Sequence, residues 1–198
     1  MDPLLVLRIG ILLAAGRGRR MGGNKQFHPW PSGDGTVPLV VAAFDTIRAA
    51  CDSMIVVLGH RADEVAGLLE SRTFLAVLSD PDAPMFESFR SGAHAVQEID
   101  PTASVLLQLG DHPELAPSSL AEIVAAAGDH PDRAILPEVQ GRGGHPVLIP
   151  AGLVQTLLKT ECPGGLRQVW IDHPEFCIRL PVDDSTAVLG INSIEGQG

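Results

Sequence analysis

Ten consecutive residues, Gly16 to Lys25 (Gly-Arg-Gly-Arg-Arg-Met-Gly-Gly-Asn-Lys), gather four glycines, three arginines and a lysine. Glycine lets the backbone approach a ligand and turn its amides inward, which forms a concave anion site. Arginine and lysine add the charge that a polyphosphate needs. The segment reads as a triphosphate-binding loop. Two well-known phosphate loops do not fit it. The dinucleotide fingerprint G-x-G-x-x-G would begin at Gly16 and Gly18 but meets Met21 where its third glycine belongs. A P-loop needs Lys and then Ser or Thr directly after its second glycine, whereas Gly23 is followed by Asn24-Lys25-Gln26. The second group with chemical potential is Asp111. It follows the apolar run Val105 to Leu109, and Gly110 lets the chain turn so that the carboxylate reaches the sheet's edge. There it can hold Mg2+, a cation bound by carboxylate oxygens together with substrate phosphates. Alone, it would equally serve as a turn cap ahead of Pro113. Asp183 and Asp184 are worse placed, in the polar tail of a late strand.

These residues need a frame, and hydrophobic patterning supplies one. The apolar run Ile11 to Ala15 reads as a buried strand that stops at Gly16. Residues 26–37, with Pro29-Trp30-Pro31 and Gly33-Asp34-Gly35, read as a turn-rich connection. Pro38 is suited to open a helix to about residue 50. Further strands are expected over 54–58, 74–78, 104–109, 134–136, 147–149 and 177–182, with a last short apolar piece at 188–191. Helices are expected over about 63–71, 87–96, 117–127, 153–159 and 166–171. Residues 134–149 have the layout of a small antiparallel hairpin around Gly141 to His145. Continuous apolar strands alternating with helices imply a mostly parallel sheet covered on both faces. The expected class is therefore α/β, with three α/β/α layers and a Rossmann-like sheet, in one domain over residues 1–198. Ligands in such sheets bind beyond the carboxyl ends of the strands, where the glycine clusters of this chain fall.

The chain has 198 residues, 45% of them hydrophobic, and a formal net charge of -10. Its acidity argues against a nucleic-acid or anionic-membrane surface. A small anionic ligand remains open, because Arg17, Arg19, Arg20 and Lys25 concentrate four of only fourteen basic residues in one loop. No stretch reaches the roughly 18 apolar residues of a membrane helix, and the first fifteen residues lack the layout of a cleavable signal. Cys51, Cys162 and Cys177 show no C-x-x-C spacing, which suits a reducing cytoplasm and small buried thiols. His112 and His145 lie in glycine-rich turns without a partner at metal-ligand spacing. Ser118-Ser119 after Pro117 reads as a helix start.

The stretch Leu13 to Lys25, L-A-A-G-x-G-x-R-M-G-x-x-K, resembles the nucleotidyltransferase loop of the molybdenum cofactor cytidylyltransferase and guanylyltransferase family. The resemblance continues in family order. Leu109-Gly110-Asp111-His112-Pro113 is similar to a G-D-x-P segment whose aspartate binds metal. Ser88-Phe89-Arg90-Ser91-Gly92 is similar to S-L-R-A-G, which approaches base and ribose. Gly141 to Val147 is similar to the acceptor-side G-R-x-G-H-P-V, and Gly165-Leu166-Arg167 to a nearby G-A-R. Together these segments cover roughly residues 8 to 195. They imply the fold of nucleotide-diphospho-sugar transferases. The resemblance departs at three places: Gly18 replaces a serine, Asn24 a proline, and the segment Gly190 to Gly196 lacks the family's flanking carboxylates while keeping Asn192.

The implied reaction is nucleotidyl transfer to a phosphorylated acceptor with release of pyrophosphate. In that reading Gly16, Arg17, Gly18 and Arg20 hold the β and γ phosphates and Lys25 stands by the α-phosphate. Asp111 binds Mg2+, and Asn192 completes the metal shell. Leu13, Ala14, Ala15, Ser88 and Gly92 seat the nucleotide, while Gly110, Gly144 and His145 line its surroundings. Ala14-Ala15-Gly16, where guanylyltransferases tend to carry A-G-G, leans toward CTP over GTP. The resemblance implies molybdopterin as acceptor and a molybdoenzyme as possible client. Two alternatives stay open: a transferase activating a sugar phosphate or other phosphorylated metabolite, and a non-catalytic accessory protein that binds nucleotide or molybdenum cofactor.

Overall fold

A strand that is apolar on both faces must be covered on both sides, and Arg8–Ala14 meets that condition. Ile9, Ile11 and Leu13 face one core, and Leu12 and Ala14 face the other. The computed structural model describes residues 7–17 and 25–188. Its strands are β1 (Arg8–Ala14), β2 (Pro29–Ser32), β3 (Gly35–Pro38), β4 (Ser53–Leu58), β5 (Leu75–Leu78), β6 (Ser104–Leu109), β7 (Ala134–Val139), β8 (Arg142–Gly143), β9 (Val147–Ile149) and β10 (Cys177–Pro181). Its α-helices are α1 (Leu39–Arg48), α2 (Ala62–Leu68), α3 (Met85–Ile99), α4 (Pro117–Asp129), α5 (Ala151–Lys159) and α6 (Gly165–Asp172).

The main sheet runs β10-β7-β9-β6-β1-β4-β5, with β8 added to β7. β1 lies inside it, parallel to β4 and β6, with β5 parallel to β4 and β10 parallel to β7. One strand of that path reverses: β9 is antiparallel to both β6 and β7. One core packs α3, α5 and α6 on the sheet through Phe89, Val96, Val154, Leu157 and Trp170. The other packs α1, α2 and α4 through Phe44, Ile47, Val65 and Ile123. The result is the expected α/β/α sandwich with a mostly parallel sheet.

The small hairpin expected in 134–149 exists: β7 and β9 pair antiparallel at Ile135 and Leu148, and β8 extends it along β7 across Gln140 and Gly141, both with left-handed φ (51° and 78°). β9 also pairs with β6, so it lies between β6 and β7. Residues 26–37, expected as an irregular connection, instead form a second hairpin, β2–β3. Its prolines spoke against a strand, yet an isolated two-stranded ribbon tolerates them because it needs few ladder donors. Gly33 turns it with φ 55°. Ser185–Val188 is a 3-10 turn, and the rest of the apolar piece expected at 188–191 lies outside the described residues. Cys51 and Cys177 are buried and Cys162 is half-buried, all three as free thiols; burial pushes Cys51 up to about 12. Among the described residues no helix is long and apolar enough to cross a membrane.

Candidate active site

Lys25 opens a one-turn 3-10 helix, Lys25–Phe27. Two side chains hold that turn. The Gln26 carboxamide, buried, donates to the carbonyls of Ala14 at 2.9 Å and Gly16 at 3.3 Å, which ties the turn to the end of β1. The Phe27 ring lies under the Arg61 guanidinium at 4.1 Å, a cation–π contact, and Arg61 is itself forked onto Glu64. Across the cleft, the chain leaves β6 in a turn closed by the His112 N–H donating to Leu109 O at 3.1 Å. The Gly110 N–H donates to Leu13 O at 2.9 Å. A Cβ on residue 110 would stand 3.0 Å from that same carbonyl, so glycine permits the close approach. The turn presents Asp111, and the Lys25 ammonium donates to its Oδ2. The pair is partly shielded, with side-chain exposures of 11% for Lys25 and 27% for Asp111.

Two clefts meet at this pair. The smaller, about 250 Å³, is lined by Ala15, Gly16, Lys25, Asp80, Ser88 and Asp111, among others. The larger, about 830 Å³, is lined by His112, Arg142, Gly144, His145, Arg167 and Trp170, among others. Leu13, Met85, Leu109 and Asp111 belong to both walls. Asp111 therefore stands on the seam between the two volumes.

The sequence-derived residues divide accordingly. Leu13, Ala15, Gly16, Lys25, Ser88, Gly110 and Asp111 converge on the smaller cleft, where Ser88 Oγ is 3.2 Å from Ser79 Oγ. Gly144 and His145 line the larger one. A Cβ at Gly144 would fall 2.2 Å from Ala187 O, so the wall there is backbone against backbone. Two positions lie elsewhere. The Ala14 side chain points into the core under α1, and only its carbonyl reaches toward the loop, through Gln26. Gly92 sits one helical turn beyond Ser88 on the buried side of α3. A Cβ there would stand 3.0 Å from both Ile11 and Val57, which makes it a packing position away from the nucleotide seat expected for it. Arg17 turns to the rim, where its guanidinium forks onto Asp82 at 2.7 and 2.6 Å. Gly18, Arg20 and Asn192 lie outside the described residues.

His112 and His145 pack edge to face, with ring centroids 5.3 Å apart. The His145 N–H donates to Ala187 O at 2.9 Å, and its Nδ1 lies 3.4 Å from Leu107 O. Burial pushes His145 down to about 4 and also lowers His112. Both rings are neutral at pH 7 and offer hydrogen bonding without charge. The structure also brings in residues that sequence reasoning passed over. Gln26 and Gln108 are the buried carboxamides of the site region, and Asp80 and Met85 join its walls. Gln108 carried a signal, one polar side chain inside an apolar strand; Gln26 carried none.

Among the described residues no three His, Cys, Asp or Glu side chains cluster as a metal cage. Asp111 nevertheless fits Mg2+, which takes one or two carboxylates and completes its shell with water and substrate phosphate. Its carboxylate opens onto the smaller cleft beside the glycine loop.

Residues 10–176 match the family model of the MobA-like NTP transferase domain. The chain is 24% identical to molybdenum cofactor cytidylyltransferase of Escherichia coli (strain K12) over 185 residues, 92% of this chain and 90% of that protein. A homologue of a Mycobacterium tuberculosis protein, from Mycobacterium sp. strain JC1, superposes with a TM-score of 0.73 at 30% identity, covering 92% of this chain and 88% of that one. A Mycobacterium tuberculosis protein in complex with manganese superposes with a TM-score of 0.65 at 24% identity, covering 89% and 88%. The matched domain accounts for most of the chain, from the glycine loop past the seam at Asp111 to the wall of the larger cleft. This protein belongs to the family of MobA-like NTP transferase domains and is a nucleotidyltransferase.

Proposed function

We propose that the whole chain, residues 1–198, acts as one domain that transfers CMP from CTP to the phosphate of molybdopterin. The observation that carries this reading is the Lys25–Asp111 pair on the seam of the two clefts. The nucleotide occupies the smaller cleft. Gly16, Arg17, Gly18 and Arg20 hold its β and γ phosphates, Leu13 and Ala15 line its seat, and Ser88 bonds base or ribose. The acceptor occupies the larger cleft beside Gly144 and His145, in reach of Arg142 and Arg167.

An acceptor phosphate oxygen attacks the α-phosphorus, a new P–O bond forms, and the bond to the bridging oxygen of the β-phosphate breaks. Pyrophosphate takes the electron pair and leaves. The acceptor phosphate is already ionised at pH 7, so the step requires no general base. Accordingly the neutral His112 and His145 act as hydrogen-bonding walls. Lys25 lies where charge develops on the α-phosphoryl oxygens, and a preorganised cation at such a point is among the strongest contributions to rate. Asp111 would hold Mg2+, with Asn192 as a second ligand; when bound, the ion neutralises phosphate charge and orients the triphosphate. As nucleotide binds, Lys25 exchanges its contact with Asp111 for phosphate oxygen. The choice of CTP rests on the family resemblance at Ala14-Ala15-Gly16 and on the cytidylyltransferase relative. The widely spaced free thiols suit a cytoplasmic enzyme, and the product would be delivered to a molybdoenzyme client.

Pyrophosphate release from CTP and from GTP, each with Mg2+ and with molybdopterin or a sugar phosphate, tests the reading. Turnover of CTP dependent on molybdopterin is expected. Turnover with a sugar phosphate in place of molybdopterin would overturn the acceptor, and a preference for GTP would overturn the base.

A further inference from the structure

We propose that Gln108 is a positioning residue for Asp111: a buried carboxamide that fixes the turn presenting the seam carboxylate. Strand β6 is apolar at Val105, Leu106, Leu107 and Leu109, yet its fourth central position is a glutamine with no exposed surface. Alternation along the strand places Gln108 on the same face as Leu106, inside the core that α1 and α4 cover. A carboxamide is costly there unless both its ends are used. Both are used, and on the same turn. Nε2 donates to His112 O at 2.9 Å, and Oε1 accepts the Leu109 N–H at 3.2 Å.

The second of these bonds replaces a missing strand partner. The ladder from β6 to β9 ends at Leu107 and Val147. Two positions further in that register Leu109 stands opposite His145, whose own backbone N–H turns away to Ala187 O. Leu109 thus reaches the end of the sheet with an amide that Gln108 satisfies. One side chain therefore brackets the turn from beneath, at the residue entering it and at the residue leaving it, with Asp111 between. Leucine or methionine would fill the same space in this apolar layer, but each would leave the Leu109 N–H and the His112 carbonyl without this partner. The residue type at 108 is explained by the turn it holds. The inference rests on the proposed role of Asp111 in transfer, and it acts only through that residue.

The test uses the full chain with Gln108→Met, Gln108→Glu, Asp111→Ala and the Gln108→Met/Asp111→Ala double variant. Two quantities are read for each: the kcat and KM for CTP with Mg2+ and molybdopterin, and Mn2+ binding in the presence of CTP by electron paramagnetic resonance. Gln108→Met is expected to lower kcat and weaken Mn2+ binding by about 10-fold, the scale seen when the group supporting a metal ligand is lost, with KM for CTP little changed. On the Asp111→Ala background the same substitution is expected to change neither quantity by more than about twofold, because interacting sites are not additive. Gln108→Glu keeps the acceptor oxygen for Leu109 and exchanges the amide donor to His112 for a carboxyl O–H, the form this apolar layer favours over the ion. It is expected to show a smaller loss in the same direction, which keeps the inference testable if Gln108→Met folds poorly. Wild-type kcat and Mn2+ affinity in both Gln108 single variants would overturn the proposal. So would an equal loss in the Asp111→Ala background, which would mark a general structural effect. Near-normal turnover of Asp111→Ala alone would instead overturn the transfer reading, so the two failures are distinct.

Discussion

Lys25 and Asp111, 86 positions apart in sequence, meet where the smaller cleft opens into the larger one. The pair neutralises itself while the cleft holds no phosphate, so neither charge stands alone in a partly shielded place. In the proposed reaction a triphosphate displaces the contact and both groups then face the same reactive centre. Lys25→Ala and Asp111→Ala are each expected to lower kcat at least about 100-fold, the scale lost with one key electrostatic group. Steady-state pyrophosphate release checks this, and near-normal turnover in both variants would remove the pair from the site.

Arg17 and Asp82 make the rim contact, between the loop after β1 and the loop before α3. Both are exposed, and an exposed ion pair contributes at most about 1 kcal/mol. Stability should hardly notice its loss. If Arg17 serves the triphosphate, Asp82 competes for it. Asp82→Asn is then expected to lower the KM for CTP by about 2- to 5-fold, within 1 kcal/mol of binding energy, while Arg17→Ala raises it. An unchanged KM in both variants would confine the contact to the surface.

Gly92 gives a contrasting prediction. Its missing Cβ is the space in which α3 lies against Ile11 and Val57. Gly92→Val would push the helix off the sheet, and overpacking of this kind costs about 1–3 kcal/mol. Chemical denaturation should show that loss, while the folded fraction keeps its KM for CTP. A large rise in KM at unchanged stability would instead return Gly92 to the nucleotide seat.

The stability of the fold should also report the buried imidazole of His145. Burial holds it down to about 4 in the folded chain, against an ordinary value of 6.5. Above pH 6.5 both folded and unfolded chains carry it neutral, and its contribution is complete. Between pH 6.5 and about 4 the unfolded chain takes up a proton that the folded chain refuses, so stability falls with pH. The slope from one such group is at most about 1.4 kcal/mol per pH unit. Denaturation at pH 7, 6 and 5 is expected to show wild type losing more stability than His145→Gln across that window. Parallel curves would mean that the imidazole is not held neutral.

Much of this molecule was legible in its sequence because burial on both faces leaves a plain mark. The strands β1, β4 and β6 are mostly apolar without alternation; β4 and β6 were placed within a residue, and β1 was recognised but starts three residues earlier than expected. The glycine loop and Asp111 stood out by residue type, and the structure sets Gly16, Lys25 and Asp111 on one cleft. What escaped was set by tertiary contact. Pro29 and Pro31 hid the β2–β3 ribbon, since local rules exclude proline from strands that must donate. Gly92 lies in a segment resembling a nucleotide-binding one, but the helix phase turns it onto the sheet. Gln26 and Gln108 act through backbone groups 10 to 12 and one to four residues away, and no spacing rule reveals such contacts.

The reversed direction of β9 has a consequence for where this enzyme can be altered. In the parallel strands the chain reaches the site as it leaves the sheet, but in β9 it reaches the site as it enters. Residues 141–145 therefore line the larger cleft, whereas Pro150 and Ala151, only a few positions on, emerge at the opposite rim of the sheet. A library built over 141–145 would sample the proposed acceptor side, and one built over 150–152, short of the buried Leu153, would vary an unrelated surface. Two neighbouring stretches of the same chain thus offer separate handles, one for retargeting the reaction and one for attaching labels or fusions without disturbing it.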